Sequence, residues 1–225
     1  MKIKEFPPIT TLQDSDLLVL QNATGTYKSI KASDLKSYCQ SGLSSPATTS
    51  YTLTFQSSGD TKGAFYCLGT VGTGIGWSNP YKAGFLGISL SSIYDSSNAN
   101  VEDLVNRTAD NAFATSDLPN SWVAVDFRQR KLACNYYSIR ARNYDANHLK
   151  GWNLQGSNDF STWTTLHSKT NNPLAANQWY SAATTANQST FYRFFRILQT
   201  QVSTSGDNFL TMGELELYGT LQGGF

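Results

Sequence analysis

Apolar and polar positions alternate along much of the chain in short runs. They are "SWVAVDF" (121–127), "YYSIRAR" (136–142), "WNLQGS" (152–157), "TWTTLH" (162–167), "FYRFFRIL" (191–198) and "GELELYG" (213–219). A period of two over strand-length runs, with Asn, Ser and Gly between them, predicts antiparallel strands with one face buried and one exposed. The spacing is that of an all-β sandwich or jelly roll. In "WNLQGSNDFSTWTTL" the alternation sends Trp152 and Leu154 inward, the turn falls at Asn158 and Asp159, and Trp163 returns over the edge of the core. Trp77 and Trp122 are read in the same way, as core anchors. The helix predicted from this pattern is a short one around "NVEDLVNR" (100–107).

The first part of the chain is different. "DLLVLQ" (16–21), the turn "NATG" (22–25) and "TYKSI" (26–30) predict a hairpin, and Ser33 is placed to cap a short helix carrying Leu35 and Tyr38. A hairpin and two helical turns bury too little apolar surface to stand alone, so this unit must lean on other copies or on the rest of the chain. The Ser, Thr, Gly and Pro of the following stretch read as a linker. The expected organisation is an N-terminal unit at 1–42, a linker at 43–50, a β-domain at 51–220 and a tail at 221–225.

Composition narrows the functional classes. Charged residues form only 15% of the chain, and 17 basic against 16 acidic side chains leave a formal charge of +1. No global field exists to hold a nucleic acid or an anionic membrane, so neither is an expected partner. No run could span a membrane, and the start lacks a signal-peptide core. Cys39, Cys67 and Cys134 show no metal-ligand spacing and are expected to be free thiols. With two histidines, His148 and His167, and no nucleophile or phosphate-loop motif, catalysis is not expected. Glu214 and Glu216, which alternate on one strand face, are assigned a structural role instead of that of a glycosidase pair.

Taken in order, "GWSNP", "SWVAVDF", "YSIRAR", "GWNLQGSNDFSTWTTL", "FYRFFRI" and "LELYG" resemble the strand motifs of discoidin domains, also called coagulation factor type C domains. The resemblance covers about residues 51–219 and implies an eight-stranded antiparallel jelly roll with its ligand loops at one end. Separately, "FPPITTLQDSDLLVLQNATGTYKSIKASDLKSYC" resembles the attachment segment that opens many bacteriophage tail-fibre proteins. That resemblance implies a homotrimer docked on phage tail or baseplate proteins through residues 1–42, located in the virion and made in the host cytoplasm.

Candidate binding residues lie in polar loops that strand periodicity does not explain. The excursion from 93 to 120 carries Tyr94, Asp95, Asn98, Asp110, Asn111 and Phe113. A further loop, "RNYDANHLK" (142–150), carries Asn143, Tyr144, Asp145, Asn147 and His148. By the order of the discoidin pattern, these are ligand loops. Aromatic faces beside Asn and Asp suit a sugar, which stacks through its C–H face and hydrogen-bonds through its hydroxyls, so a host surface glycan is the expected partner. Three alternatives stand beside this reading: the loops are solvated turns, their oxygens hold a structural Ca²⁺, or the chain is a purely structural virion tail protein whose jelly roll mediates protein–protein contacts. No other cofactor is expected. "RQRK" (128–131) reads as a solvated basic turn with an acidic polysaccharide as the alternative, and Arg193 and Arg196 as ion-pairing or stacking groups.

Overall fold

The computed structural model describes residues 17–21, 27–31, 49–71, 76–98, 100–108 and 113–224. The chain forms two compact units, Met1–Thr48 and Thr49–Phe225. In the first, β1 (Leu17–Gln21) and β2 (Tyr27–Lys31) pair antiparallel, from Leu17 opposite Lys31 to Gln21 opposite Tyr27. The expected hairpin is therefore present. The short helix after Ser33, Cys39 and most of the expected linker lie outside the described residues.

The second unit is an antiparallel β-sandwich. Its strands are β3 (Ser50–Leu53), β4 (Gly87–Leu90), β5 (Phe113–Ala114), β6 (Trp122–Asp126), β7 (Lys131–Arg140) and β8 (Trp152–Ser157). They continue as β9 (Thr164–Lys169), β10 (Trp179–Ala183), β11 (Phe194–Gln199), β12 (Thr211–Met212) and β13 (Glu214–Gln222). One sheet runs β10-β7-β13-β3, the other β4-β6-β11-β8-β9, and β12 pairs with β5 as a separate short ladder. The jelly-roll architecture matches the periodicity reading. The inward set includes Val123, Val125, Leu154, Phe195, Ile197, Leu215 and Leu217, all buried, and Trp152 is fully enclosed. Trp152 donates its indole N–H to the Tyr137 hydroxyl at 2.9 Å, which lies 2.8 Å from His167 Nδ1. A large polar-tipped aromatic can be buried here because its one donor is satisfied.

The domain limits shift slightly. β3 begins at Ser50, inside the expected linker, and β13 runs through Gln222, inside the expected tail. Leu221 pairs with Tyr51 and Leu132 and is completely buried, so it belongs to the core. Two tryptophans are also corrected. Trp77 is 37% exposed, and Trp122 points to the outer face of the five-stranded sheet, where it meets Phe160. Trp163 joins that outer group as well. Cys67 and Cys134 are buried free thiols.

The helix expectation is corrected too. The stretch around 100–107 forms a 3₁₀ turn, Val101–Val105, while the α-helix of this unit is α1 (Ala64–Val71), "AFYCLGTV". That sequence is rich in aromatic, β-branched and Gly residues of poor helix propensity. Tertiary contacts override the propensity. The backbone N–H groups of Phe65 and Tyr66 donate to the two Glu216 carboxylate oxygens at 2.8 and 3.2 Å, and Leu217 N–H adds a third bond at 3.0 Å. A carboxylate at a helix N-terminus satisfies otherwise unpaired donors and meets the positive end of the helix dipole. Gly63 is required for this approach, because a Cβ there would strike the Glu216 side chain.

Arg107 completes the arrangement. It lies 3.8 Å from Glu216 and donates to the carbonyls of Gly59 and Asp60 at 2.7 and 2.9 Å. Glu214 is separately held by Arg140 at 2.9 Å. The two glutamates are thus each committed to a structural partner, as their strand motif indicated. Among the described residues no helix is long and apolar enough to cross a membrane.

Glu216→Ala would leave the helix donors and Arg107 without their acceptor. It is expected to cost about 3–5 kcal/mol in urea unfolding of the second unit. Burial pushes the Glu216 carboxyl up to about 7 against an ordinary value of 4.5, despite the N–H bonds and Arg107 acting in the other direction. A folded-state value above the unfolded one means that this group's stabilisation is complete below the unfolded value and is lost as pH rises through the folded one. Relative to Glu216→Gln, the parent should therefore lose stability between about pH 4.5 and 7 and then level off. Parallel curves for the two proteins across that range would contradict this ionisation.

Candidate functional site

The loops at one end of the sandwich are organised by the β5/β12 ladder, where Thr211 pairs with Ala114 and Met212 with Phe113. Tyr94 is tied to it by its backbone N–H, which donates to the Ala114 carbonyl at 3.0 Å. Phe209 is brought in just ahead of β12, and reciprocal bonds between Thr115 and Leu210 fix the approach. The rings of Tyr94 and Phe209 meet edge to face, with centroids 5.2 Å apart. Tyr94 is 57% exposed.

The second wall comes from the loop after β7. Arg142 donates from Nε to the Ala146 carbonyl at 2.9 Å, which closes the loop on itself. Its guanidinium lies 5.3 Å from the Tyr144 ring centroid, a cation–π distance. Asn147 sits at φ +56°, a left-handed conformation that Asn tolerates better than most side chains. Its backbone is pinned on both sides: the N–H donates to Ser205 Oγ at 2.9 Å and the carbonyl accepts from Thr211 Oγ1 at 2.7 Å.

Together Tyr94, Ala114, Arg142, Asn147 and Phe209 line a recess of about 180 Å³. Its two polar groups are held in place through other atoms. Arg142 is fixed through Nε and Asn147 through its backbone, so the terminal guanidinium nitrogens and the carboxamide stay available to a ligand. Partial burial lowers the Arg142 pKa, with Tyr144 and Asp207 opposing the shift, and the side chain stays cationic throughout the working range. The recess therefore presents an aromatic corner, a planar cation and an amide around one small volume.

The expected site residues fare differently. Tyr94 and Asn147 line the recess, and Tyr144, 64% exposed, flanks it against Arg142. Asn143 is exposed at the rim of the same loop. Asp95 accepts hydrogen bonds from the backbone N–H and hydroxyl of Ser97, a local turn role. Asn98 ends the 3₁₀ turn Ser96–Asn98, and Asp110 and Asn111 lie outside the described residues.

Two expectations are corrected. Phe113 is 2% exposed and packs in the core, because the β5 pairing turns it inward. His148 is buried at 3% exposure, its backbone N–H held by Thr204 Oγ1 at 3.0 Å. Its Nε2 is 3.7 Å from Asp145, too long for a hydrogen bond, and burial together with the nearby Arg142 charge lowers its pKa, with Asp145 opposing. His148 thus supports the loop from beneath as a neutral ring. Among the described residues no three His, Cys, Asp or Glu side chains come together.

Arg142 and Phe209 escaped the sequence reading. Arg142 stands at the very start of a quoted loop, where a strand-end cation two positions before an aromatic was the available signal. Phe209 lies in "GDNFLTM", a short stretch with no mark except one aromatic among polar residues.

No family model matches the chain. It is 33% identical over 172 residues to a BTB/POZ domain-containing protein of Arabidopsis thaliana, covering 72% of this chain and 21% of that protein. It is 28% identical over 170 residues to the E3 ubiquitin-protein ligase Ufd4 of Drosophila melanogaster, covering 73% of this chain and 6% of the ligase. The chain thus spans only a small part of these relatives. Among solved structures it resembles CBM32-3 from a family 31 glycoside hydrolase of Clostridium perfringens, at TM-score 0.50 and 15% identity over 61% of this chain and 92% of that one. It also resembles an f-lectin, or fucolectin, from striped bass (Morone saxatilis) serum, at TM-score 0.50 and 16% identity over 60% of this chain and 47% of that one. These likenesses agree with the discoidin-type jelly roll expected from the strand motifs.

Proposed function

We propose that the second unit is a carbohydrate-binding module that takes one sugar residue of a host surface glycan in the recess of Tyr94, Arg142, Asn147 and Phe209. We propose also that the first unit attaches it, as a homotrimer, to a bacteriophage tail. The observation that carries the binding reading is the convergence of unengaged Arg142 and Asn147 donors on an exposed aromatic corner. Hydroxyls would accept from the guanidinium and the amide while the C–H face of the ring lies against Tyr94 or Phe209. A volume of about 180 Å³ suits a single sugar unit better than an extended oligosaccharide. The likeness in fold to CBM32-3 and to a fucolectin supports the same reading.

The tail assignment rests on the attachment-type sequence of residues 1–42 and on the hairpin found within it. The matched relatives are eukaryotic chains of other kinds, which supports a portable module set in different contexts. Binding at one such recess would be weak, and several copies on a virion would make it effective by avidity. No turnover of the glycan is part of this proposal.

Arg142→Ala should weaken binding to host cells or purified surface polysaccharide by about 10–100-fold, as expected for lost charge-assisted hydrogen bonds. Tyr94→Ala should weaken it about fivefold. Thermal midpoints should stay near the parent value for Tyr94→Ala, since that ring is largely exposed. Parent-like binding by both variants would remove the recess as the site.

Residues 49–225 alone should be monomeric by light scattering, with apparent affinity for cells lower by about 10²–10⁴ than the full chain's. A monomeric full chain would remove the trimer and its avidity, leaving the recess to be judged by the Arg142 and Tyr94 variants.

A further inference from the structure

The outer face of the five-stranded sheet carries a second concentration of chemistry, unconnected with the recess. Strand alternation points Trp122, Ala124 and Asp126 of β6 and Phe194, Arg196 and Leu198 of β11 away from the core, with Arg196 beside Ala124 and Phe194 beside Asp126. Solvent-facing positions of this kind are ordinarily polar. Here Trp122, Phe194 and Arg196 stand among them. Phe160, at the tip of the β8–β9 hairpin, folds back over them and meets Trp122, Trp163 and Phe194 edge to face at 5.8, 5.4 and 5.2 Å.

A groove of about 430 Å³ runs here, lined by Gly87, Ser89, Asp126, Arg128, Phe160 and Arg193 among others. Two of its lining residues, Arg128 and Phe160, have left-handed backbones, at φ +63° and +62°. Gly or Asn fits such positions at lower cost. The hairpin tip is nevertheless firmly set: Ser157 Oγ accepts the Phe160 N–H at 3.0 Å, and Asp159 Oδ1 accepts those of Ser161 and Thr162 at 2.8 and 2.7 Å. A rigid turn thus holds a 40% exposed phenyl ring over the sheet.

The charges are unbalanced. Arg193 grips Asp126 through two bonds at 2.7 and 2.8 Å, and the Arg128 backbone N–H donates to the same carboxylate at 2.7 Å. The Arg128 guanidinium touches it through one terminal nitrogen at 3.5 Å, and half of the side chain is exposed. The groove therefore holds two guanidinium groups against one carboxylate, with aromatic rings and Ser89 also in its lining.

From this we infer that the groove is a second binding site, for a carboxylated sugar residue of an acidic polysaccharide. The carboxylate would pair with Arg128 in the planar two-bond geometry that guanidinium favours, and the sugar's C–H face would rest on Phe160. This site goes beyond the recess and uses none of its residues.

The test is calorimetric titration of the full chain with tetragalacturonate, neutral galactotetraose and tetraglutamate, with light scattering alongside. Tetragalacturonate should bind, more weakly as salt rises, and about tenfold more weakly to Arg128→Gly and to Phe160→Gly. In the Arg142→Ala background, where the recess is disabled, tetragalacturonate should still bind, and adding Arg128→Gly should still weaken it about tenfold. Gly suits both left-handed backbones; if Phe160→Gly nonetheless unfolds, Phe194→Leu replaces it. Four outcomes would overturn the inference: no binding of millimolar tetragalacturonate by Arg142→Ala, undiminished binding when Arg128→Gly is added to Arg142→Ala, equal binding of either control ligand by Arg142→Ala, or a concentration-dependent dimer abolished by the Phe160 change, which would make the face a contact between copies.

Discussion

The buried carboxylate of Glu216 is the interaction on which the arrangement of the second unit turns. It lies on the final long strand, yet it organises elements far from it in sequence: the first turn of α1, 150 residues upstream, and Arg107 in the segment after the 3₁₀ turn. Removing a carboxylate from water is costly, and here three backbone N–H groups, a helix end and a guanidinium offset only part of that cost, which leaves the carboxyl raised to about 7. Arg107 carries the same network on to the carbonyls of Gly59 and Asp60. The loop that supplies Tyr94 and Ala114 is anchored in its middle by this cluster, since Leu104 and Val105 are buried beside it.

Aromatic side chains divide between two tasks, and the sheet's alternation decides which. On the inward set, Trp152, Tyr137, Phe127 and Phe195 are fully enclosed and pack edge to face, as Phe127 and Phe195 do at 5.7 Å. On the outward set, Phe194 and Trp163 stay partly open and take cations over their faces: Arg193 at 4.6 Å from Phe194, Arg196 at 4.3 Å from Trp163. Such pairs keep rings at the surface wetted by charge, which limits nonspecific sticking while leaving apolar area for a partner.

Much of this fold was legible because period-two patterning is a local property of a strand. Trp152, Leu154 and the hairpin at Asn158 were placed correctly from spacing alone. The helix Ala64–Val71 was not legible, because what stabilises it is Glu216 on a distant strand and not the intrinsic preference of its residues. The recess was half legible for a related reason. Tyr94 and Asn147 stood out as aromatic and amide groups in unexplained loops, but Phe209 acquires its role only when β12 pairs with β5. The same pairing turns Phe113 inward, so one ladder of two residues per strand both completed the site and removed an expected member from it. His148 misled because a polar ring in a loop reads as exposed, whereas the loop folds over it.

The near neutrality of the chain gives these local groupings their weight. With a net charge of +1 there is no long-range field to gather a ligand, so recognition depends on groups that meet it within a few ångströms. In the recess that group is Arg142, freed for a ligand because Ala146 engages only its Nε. On the outer sheet the proposed group is Arg128, which shares Asp126 with Arg193. In both places a guanidinium is held at one nitrogen, Nε in Arg142 and Nη1 in Arg128. Nothing long-range discriminates between ligands, so selectivity follows from the fixed separation of fork and ring, and that separation is set by the sheet register beneath each site.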